Sequence, residues 1–390
     1  MRDFETKIMK SCTGSPTVKL LSKGLEMKRQ GLDVLILSGG EPDFNTPERI
    51  KAEGIKAIQN NMTHYTPAAG LMELREAISR KLLKENGIIA DPKTQIIVTP
   101  SGKLALYQAL VSFLEPGDEA MLLEPNWVSY KEIVKMTGAT CVSVPLRHED
   151  NFRITRDILE SKLTDKSKMV IICNPCNPTG RVFTEEEIQT LADFVDEHDL
   201  LLVADEIYEK LVYGGAEHVS FASLPGMRER TVLASGFSKA YAMTGWRLGY
   251  LCAPEPLARQ MLKIHQYAIM CAPTTSQLAA VEALRNGDED IASMTEEYNR
   301  RRRYIYNGLR SIGIESFEPE GAFYIYPDIR RFGLRSDTFC ERLLYENRCA
   351  IIPGSAFGDG GEGFARISYA YSVKHITQAL ERIEAFVRKL

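Results

Sequence analysis

The sequence of 390 residues predicts an α/β protein with a mostly parallel, buried sheet and a second, smaller α+β part. Three observations carry that expectation. Between about residues 90 and 285, short apolar runs rich in β-branched residues alternate with longer stretches of helical period, the rhythm of strands joined by helical crossovers. After about residue 288 the rhythm changes and a long charged helical stretch begins. The length fits two to three domains of roughly 150 residues, with no internal repeat and no linker rich in Gly and Ser.

In chain order, Gln95–Val98 reads as a strand and Ser101–Leu114 as a helix. Glu119–Leu123 is a strand, Val128–Met136 a helix, Thr140–Val144 a strand and Lys168–Cys173 another. Thr184–His198 is a helix, because Thr184 followed three residues later by Glu187 makes a capping box. Leu200–Ala204, Thr231–Ala234 and Trp246–Cys252 complete the predicted sheet. Ligand-binding loops are then expected beyond the carboxyl ends of the strands. Asp288–Leu309 reads as one helix whose Arg300–Arg303 run is expected to form a solvated face. Phe323–Tyr326, Cys349–Ile352 and Phe364–Tyr369 are short strands, and Val373–Leu390 is a closing helix. The boundaries expected are 45–287 for the large domain, with 1–44 and 288–390 forming the small one.

Composition excludes several classes. Apolar residues make up 44% and charged residues 26%, which rules out a disordered or collagenous chain. Lys and Arg number 48 against 52 Asp and Glu, a net charge of −4, so the basic excess of a nucleic-acid binder is missing. Apolar runs stop at five or six residues, far below the ~20 that cross a bilayer. The start Met1-Arg2-Asp3-Phe4-Glu5 lacks the apolar core of a secretory signal. A cytoplasmic protein with no membrane and no nucleic-acid partner is expected. The eight cysteines are scattered, and reduced thiols are the reading that goes with that location. Cys173 and Cys176 match C-x-x-C, but no second Cys/His pair lies nearby, so no metal site is expected.

Two segments remain to be weighed as sites. Gly358-x-Gly360-x-x-Gly363 fits the dinucleotide pattern, yet the residues that follow alternate like a strand, and the pattern needs a helix to carry a pyrophosphate. It reads as a glycine-rich loop. In Ser235-Gly236-Phe237-Ser238-Lys239-Ala240-Tyr241-Ala242-Met243-Thr244-Gly245-Trp246-Arg247, a lysine follows a predicted strand among small residues, with an arginine eight positions on. A lysine after a strand is ordinarily a surface charge. Small neighbours and the following arginine suit a lysine that reaches a phosphorylated ligand in a crowded pocket.

This stretch resembles the attachment segment of class I pyridoxal-phosphate-dependent aminotransferases of fold type I, nearest the bacterial and archaeal aspartate aminotransferase branch. The resemblance runs from about residue 12 to the end, with the motifs in family order. It implies the three-layer fold of these transferases, pyridoxal 5'-phosphate as cofactor, and Lys239 as the lysine that forms a Schiff base with it. Arg247 is then the phosphate grip, and Ser235 or Ser238 can serve where some relatives carry a serine at the place of Gly236. Asp205, in Ala204-Asp205-Glu206-Ile207-Tyr208, matches the aspartate facing the ring nitrogen, and a buried strand-end carboxylate needs such a cationic partner. Tyr208 and Asn177, the latter in Asn177-Pro178-Thr179-Gly180, match the donors to the cofactor's phenolic oxygen. Ser101-Gly102-Lys103 opens a helix and matches the phosphate loop, where free N–H groups favour an anion. Trp127 matches the aromatic that stacks on the ring; core packing is its plain alternative.

On the substrate side, Arg366 matches the arginine that grips the α-carboxylate, a task for a planar two-donor fork. Gly40, in Ser38-Gly39-Gly40-Glu41-Pro42-Asp43-Phe44, matches the loop nearest the substrate. Tyr65 matches a tyrosine that contacts the phosphate in a neighbouring subunit, which implies a homodimer with shared sites. The implied reaction moves an amino group from an L-amino acid, aspartate or another acidic donor, to a 2-oxo acid such as 2-oxoglutarate. Lys103 either neutralises a distal carboxylate or adds to the phosphate field. Aromatic, alanine-type and specialised-metabolite donors stay open, as does a β-lyase on the same scaffold. Cys176 stands where many relatives carry Asn and has no function assigned.

Overall fold

The computed structural model describes residues 3–390. Its strands, in chain order, are β1 (Leu35–Ile36), β2 (Ile96–Thr99), β3 (Glu119–Glu124), β4 (Thr140–Pro145), β5 (Ser167–Cys173) and β6 (Leu201–Asp205). They continue with β7 (Thr231–Gly236), β8 (Gly249–Cys252), β9 (Tyr324–Ile325), β10 (Cys349–Ala350), β11 (Ile352–Pro353) and β12 (Ala365–Ser368). Seven of them form the central sheet in the order β2-β8-β7-β6-β5-β3-β4. Only β8 runs against its neighbours; the remaining pairs are parallel.

Parallel strands need crossovers, and the predicted helices supply them. Gly102–Phe113 joins β2 to β3, Ser129–Thr137 joins β3 to β4, and Glu185–Glu197 joins β5 to β6. The capping box forms: the Glu187 N–H donates to Thr184 Oγ1 at 3.3 Å, and the Thr184 N–H donates to Glu187 Oε2 at 3.0 Å. Helices cover both faces of the sheet, which is why its strands read as continuous apolar runs. Successive residues alternate between the two sides. Ile171 and Val203 belong to one core, and Val170, Ile172 and Leu202 to the other.

β1 pairs in parallel with β10, Leu35 opposite Cys349, so the amino-terminal segment packs with the carboxyl-terminal third. β9, β12 and β11 form a small antiparallel sheet, and an ion pair between Arg382 and Asp33 ties helix Val373–Val387 to the residues before β1. The glycine-rich segment 358–363 leads into β12 rather than into a helix, as expected.

Three expectations need correction. The strand expected from Trp246 begins only at Gly249, because Arg247 sits at a φ of +50° that breaks the extended chain. Cys349–Ile352 is two strands: β10 pairs with β1 and β11 with β12, so the chain changes sheets at Ile351. Arg300–Arg303 is not a uniformly solvated face. Helix Asp288–Ser311 turns Arg301 and Arg302 inward with Tyr298 and Ile305, as a period of 3.6 dictates. Arg301 pairs with Asp43 at 2.7 Å and Glu297 at 2.8 Å, and Arg302 with Glu318 at 2.7 Å. Only Arg300 and Arg303 face solvent.

Candidate active site

The strands β2, β3, β5, β6 and β7 all present their carboxyl ends at one edge of the sheet. β8 is antiparallel, so the turn that precedes it, with Arg247, arrives at the same edge. A cavity of about 480 Å³ opens there. It brings together twelve of the residues expected from the sequence: Gly40, Ser101, Gly102, Lys103, Trp127, Asn177, Asp205, Tyr208, Ser238, Lys239, Arg247 and Arg366.

Two expected residues lie elsewhere. The buried Ser235 hydroxyl turns to the far side of β7, where it donates to Glu209 Oε1 at 3.2 Å, so of the two serines only Ser238 lines the cavity. The physical reason is strand alternation plus a strong acceptor, because the Glu209 carboxylate, paired with buried Lys81, sits on that face. Tyr65 is 82% exposed and takes no part in the cavity of its own chain.

Charge in the cavity is one-sided. Four cationic side chains, Lys103, Lys239, Arg247 and Arg366, share it with two carboxylates, Asp205 and Glu41. Burial, and then the Arg366 guanidinium, bring the Lys239 amine down to about 8; the amine donates to the Gly40 carbonyl. Burial and Arg247 likewise depress Lys103, whose ammonium lies 4.8 Å from the Trp127 ring centre. Asp205 shows the opposite effect. Burial pushes its carboxyl up to about 6, against hydrogen bonds from Tyr130 and the Ile207 N–H.

Arg366 is fixed by its own chain. One terminal nitrogen donates to Asn177 Oδ1 at 2.9 Å and the other to the Ser38 carbonyl at 2.9 Å, while Tyr324 and Phe357 lie against its faces at 4.4 Å and 4.9 Å. Its buried Nε has no partner. With the oxygen of Asn177 engaged, the amide NH2 is the end left for a ligand acceptor. The Tyr208 and Tyr324 hydroxyls meet at 2.9 Å.

These residues fit pyridoxal phosphate. Helix Gly102–Phe113 starts at Ser101, whose φ is +93° and whose side chain makes no cap, so its first N–H groups are free for an anion. A Cβ on Gly249 would come within 2.4 Å of the Gly102 nitrogen, so only glycine lets β8 back the turn at Ser101 and Gly102 this closely. A surplus of cations beside that turn suits a phosphate dianion. A buried carboxylate without an ion-pair partner among the described residues suits a ring cation.

Sequence reasoning passed over Tyr130, Tyr324, Cys173 and Tyr371, which also line the cavity, and gave no role to Glu41 and Thr244. Tyr130 had a usable signal: it stands three residues after Trp127 at a helix start, on the same face. Tyr324 had none, since a tyrosine in an apolar strand reads as core.

Comparison with known proteins agrees with this geometry. The family model described as aminotransferase class I and II matches residues 33–383. An aspartate aminotransferase of Pyrococcus abyssi is 44% identical over 359 residues, covering 92% of each chain. An aromatic-amino-acid aminotransferase of Thermococcus litoralis is 43% identical, covering 92% of this chain and 93% of its own. The structure of Thermus thermophilus aspartate aminotransferase with maleate superposes with a TM-score of 0.94 at 38% identity over the whole of both chains. A cationic cavity at the carboxyl edge of a parallel sheet and a match over most of the length converge on one statement: the chain belongs to the class I and II aminotransferases, enzymes that move amino groups with pyridoxal phosphate.

Proposed function

We propose that this aminotransferase takes its amino group from an acidic L-amino acid, aspartate foremost, and delivers it to a 2-oxo acid such as 2-oxoglutarate. The observation that carries this reading is Lys103. Its half-buried ammonium lines the cavity, forms no ion pair among the described residues, and lies over Trp127, which suits a second substrate carboxylate. Relatives named aspartate aminotransferase support the same reading.

Roles follow from position. Arg366 grips the α-carboxylate with the terminal N–H hydrogens that Asn177 and the Ser38 carbonyl leave free, a forked pair of donors. Pyridoxal phosphate, when bound, supplies an aldehyde that takes up the amino group and a cationic ring that draws electrons from the α-carbon. Asp205 would face the ring nitrogen as an ionised carboxylate and keep that nitrogen protonated. Tyr208 and the Asn177 amide would donate to the phenolic oxygen. Ser101, Gly102, Ser238 and Arg247 hold the phosphate. With the cofactor in place, Lys239 would carry the proton to and from the substrate α-carbon, a task eased by the burial and the Arg366 guanidinium that lower its amine to about 8. Gly40 and its loop close over the substrate.

The division into a large domain, 45–287, and a small one, 1–44 with 288–390, belongs to the proposal; pairing of β1 with β10 supports it. So does a homodimer with shared sites, supported by exposed Tyr65 and by exposed Tyr267, Ile269 and Met270 nearby in the chain's fold, since the His64 carbonyl accepts from Thr274. The location proposed is the cytoplasm, where eight free thiols remain reduced. No helix among the described residues is long and apolar enough to cross a membrane.

A donor–acceptor panel tests the substrate assignment. Aspartate with 2-oxoglutarate is expected to be the fastest pair, and Lys103→Ser is expected to raise KM for aspartate about tenfold or more while changing aromatic donors little. Faster turnover with phenylalanine or tyrosine favours the second reading, for which the aromatic-named relative stands. Ammonia and pyruvate release without an acceptor indicates a lyase.

A further inference from the structure

We propose that Tyr130 is a positioning residue that acts through Asp205, weakening it as a base so that the proton shared with the cofactor's ring nitrogen stays on the nitrogen. This rests on the placement of Asp205 proposed above. The Tyr130 hydroxyl donates to Asp205 Oδ2 at 2.6 Å, and the Ile207 N–H donates to Oδ1 at 3.2 Å. No lysine or arginine pairs with this carboxylate among the described residues, and its residue is only 6% exposed. An isolated buried carboxylate is a stronger base than one in water, because burial disfavours its charge. Left so, it would draw the proton off a pyridinium nitrogen. Hydrogen bonds to the ionised form oppose that. Of the two donors, the Ile207 N–H is backbone and comes with any sequence; the tyrosine is the side-chain choice that sets the strength.

The hydroxyl is held so that Asp205 is its acceptor. Tyr130 begins helix Ser129–Thr137 and is 1% exposed, with Trp127 edge-on at 5.4 Å. Cys173, opposite Asp205 in the strand register, is the other group beside the hydroxyl, and its thiol donates to the Pro175 carbonyl at 3.2 Å. A single phenolic proton between a neutral sulfur and a carboxylate goes to the carboxylate, since charge-assisted bonds are about twice as strong. Burial and the adjacent Asp205 also hold the phenol well above its ordinary pKa. Tyr130 is therefore a donor at every pH at which the enzyme works.

A tyrosine that merely fills the core and finds a partner predicts a stability loss and nothing more. The test reads the proton directly, by the nitrogen-15 chemical shift of the holoenzyme reconstituted with ring-labelled pyridoxal phosphate. Tyr130→Phe is expected to move the resonance toward the unprotonated position. Replacement of Tyr130 by 2,3-difluorotyrosine, a more acidic phenol of nearly the same shape, is expected to hold it at or beyond the wild-type value toward protonation. It also keeps the test open if Tyr130→Phe folds poorly. Asp205→Ala is the reference. A resonance that moves in Asp205→Ala but stays at the wild-type value in Tyr130→Phe overturns the role of Tyr130 alone. A resonance unmoved in Asp205→Ala overturns the placement of Asp205 itself.

Discussion

Lys239 shows what a single residue gains and loses in this cavity. Its amine is the nucleophile and the proton carrier of the proposed reaction, and both tasks need a neutral amine. Burial and the nearby Arg366 bring it down to about 8 from an ordinary 10.5. The same shift has a consequence for stability. Between pH 8 and 10.5 the unfolded chain holds this proton and the folded chain does not, so stability rises with pH across that window. In cofactor-free protein, Lys239→Met is expected to be more stable than wild type at pH 8, with the gap narrowing toward pH 10.5. Chemical denaturation of both proteins at the two pH values checks it. A gap that is constant with pH would falsify the assignment of the shift to Lys239.

At the scale of elements, the site depends on how closely one strand passes a helix start. β8 runs against its neighbours and carries Gly249 to the turn at Ser101 and Gly102, where a side chain would strike backbone at 2.4–2.6 Å. Backbone cannot move aside as a flexible side chain can. Gly249→Ala is therefore expected to cost about 1–3 kcal/mol as overpacking. Because the displaced atoms are the N–H groups proposed to meet the phosphate, cofactor dissociation should rise about tenfold or more. Equilibrium dialysis against pyridoxal phosphate measures it; wild-type affinity in the variant would show that this turn does not bear the phosphate. Arg301 shows a second dependence of this kind. From within helix Asp288–Ser311 it reaches Asp43, just beyond Gly39 and Gly40, and lies over Phe44, so a distant helix holds one end of the loop proposed to close over substrate.

The whole molecule is where the proposed sharing of sites can be tested. Tyr65 is useless to its own cavity yet sits on an exposed loop. If it serves a neighbour, Lys239→Ala and Tyr65→Ala damage different halves of each site. Mixed subunits after reversible dissociation would then contain one intact site per mixed dimer. Equal mixing is expected to restore about a quarter of all sites, since half the dimers are mixed. Activity no greater than the sum of the separate variants would place Tyr65 outside the neighbour's site.

Much of this protein was legible in one dimension. Strands buried on both faces leave continuous apolar runs, and crossover helices leave a period of 3.6, so the order of the central sheet's strands and helices could be read directly. Twelve of the fourteen expected site residues meet in one cavity; nine of them sit at or just past the carboxyl ends of central-sheet strands, which share an edge, while Arg247 arrives from the turn before β8, Gly40 from the loop after β1 and Arg366 from β12. What the sequence could not supply was direction at right angles to the chain. Ser235 and Ser238 stand three residues apart and are equal as letters; the strand alternation and the Glu209 carboxylate decided that one serves a buried ion pair and the other the cavity. Arg301 and Arg302 read as solvated charge until helix packing gave them Asp43 and Glu318. Tyr130 looked like any aromatic beside a tryptophan, and only the approach of a helix to the end of β6 set its hydroxyl 2.6 Å from Asp205. Local pattern determines which elements form, because propensity and burial act along the chain; hydrogen-bond partners across tens or hundreds of residues are settled only when those elements pack.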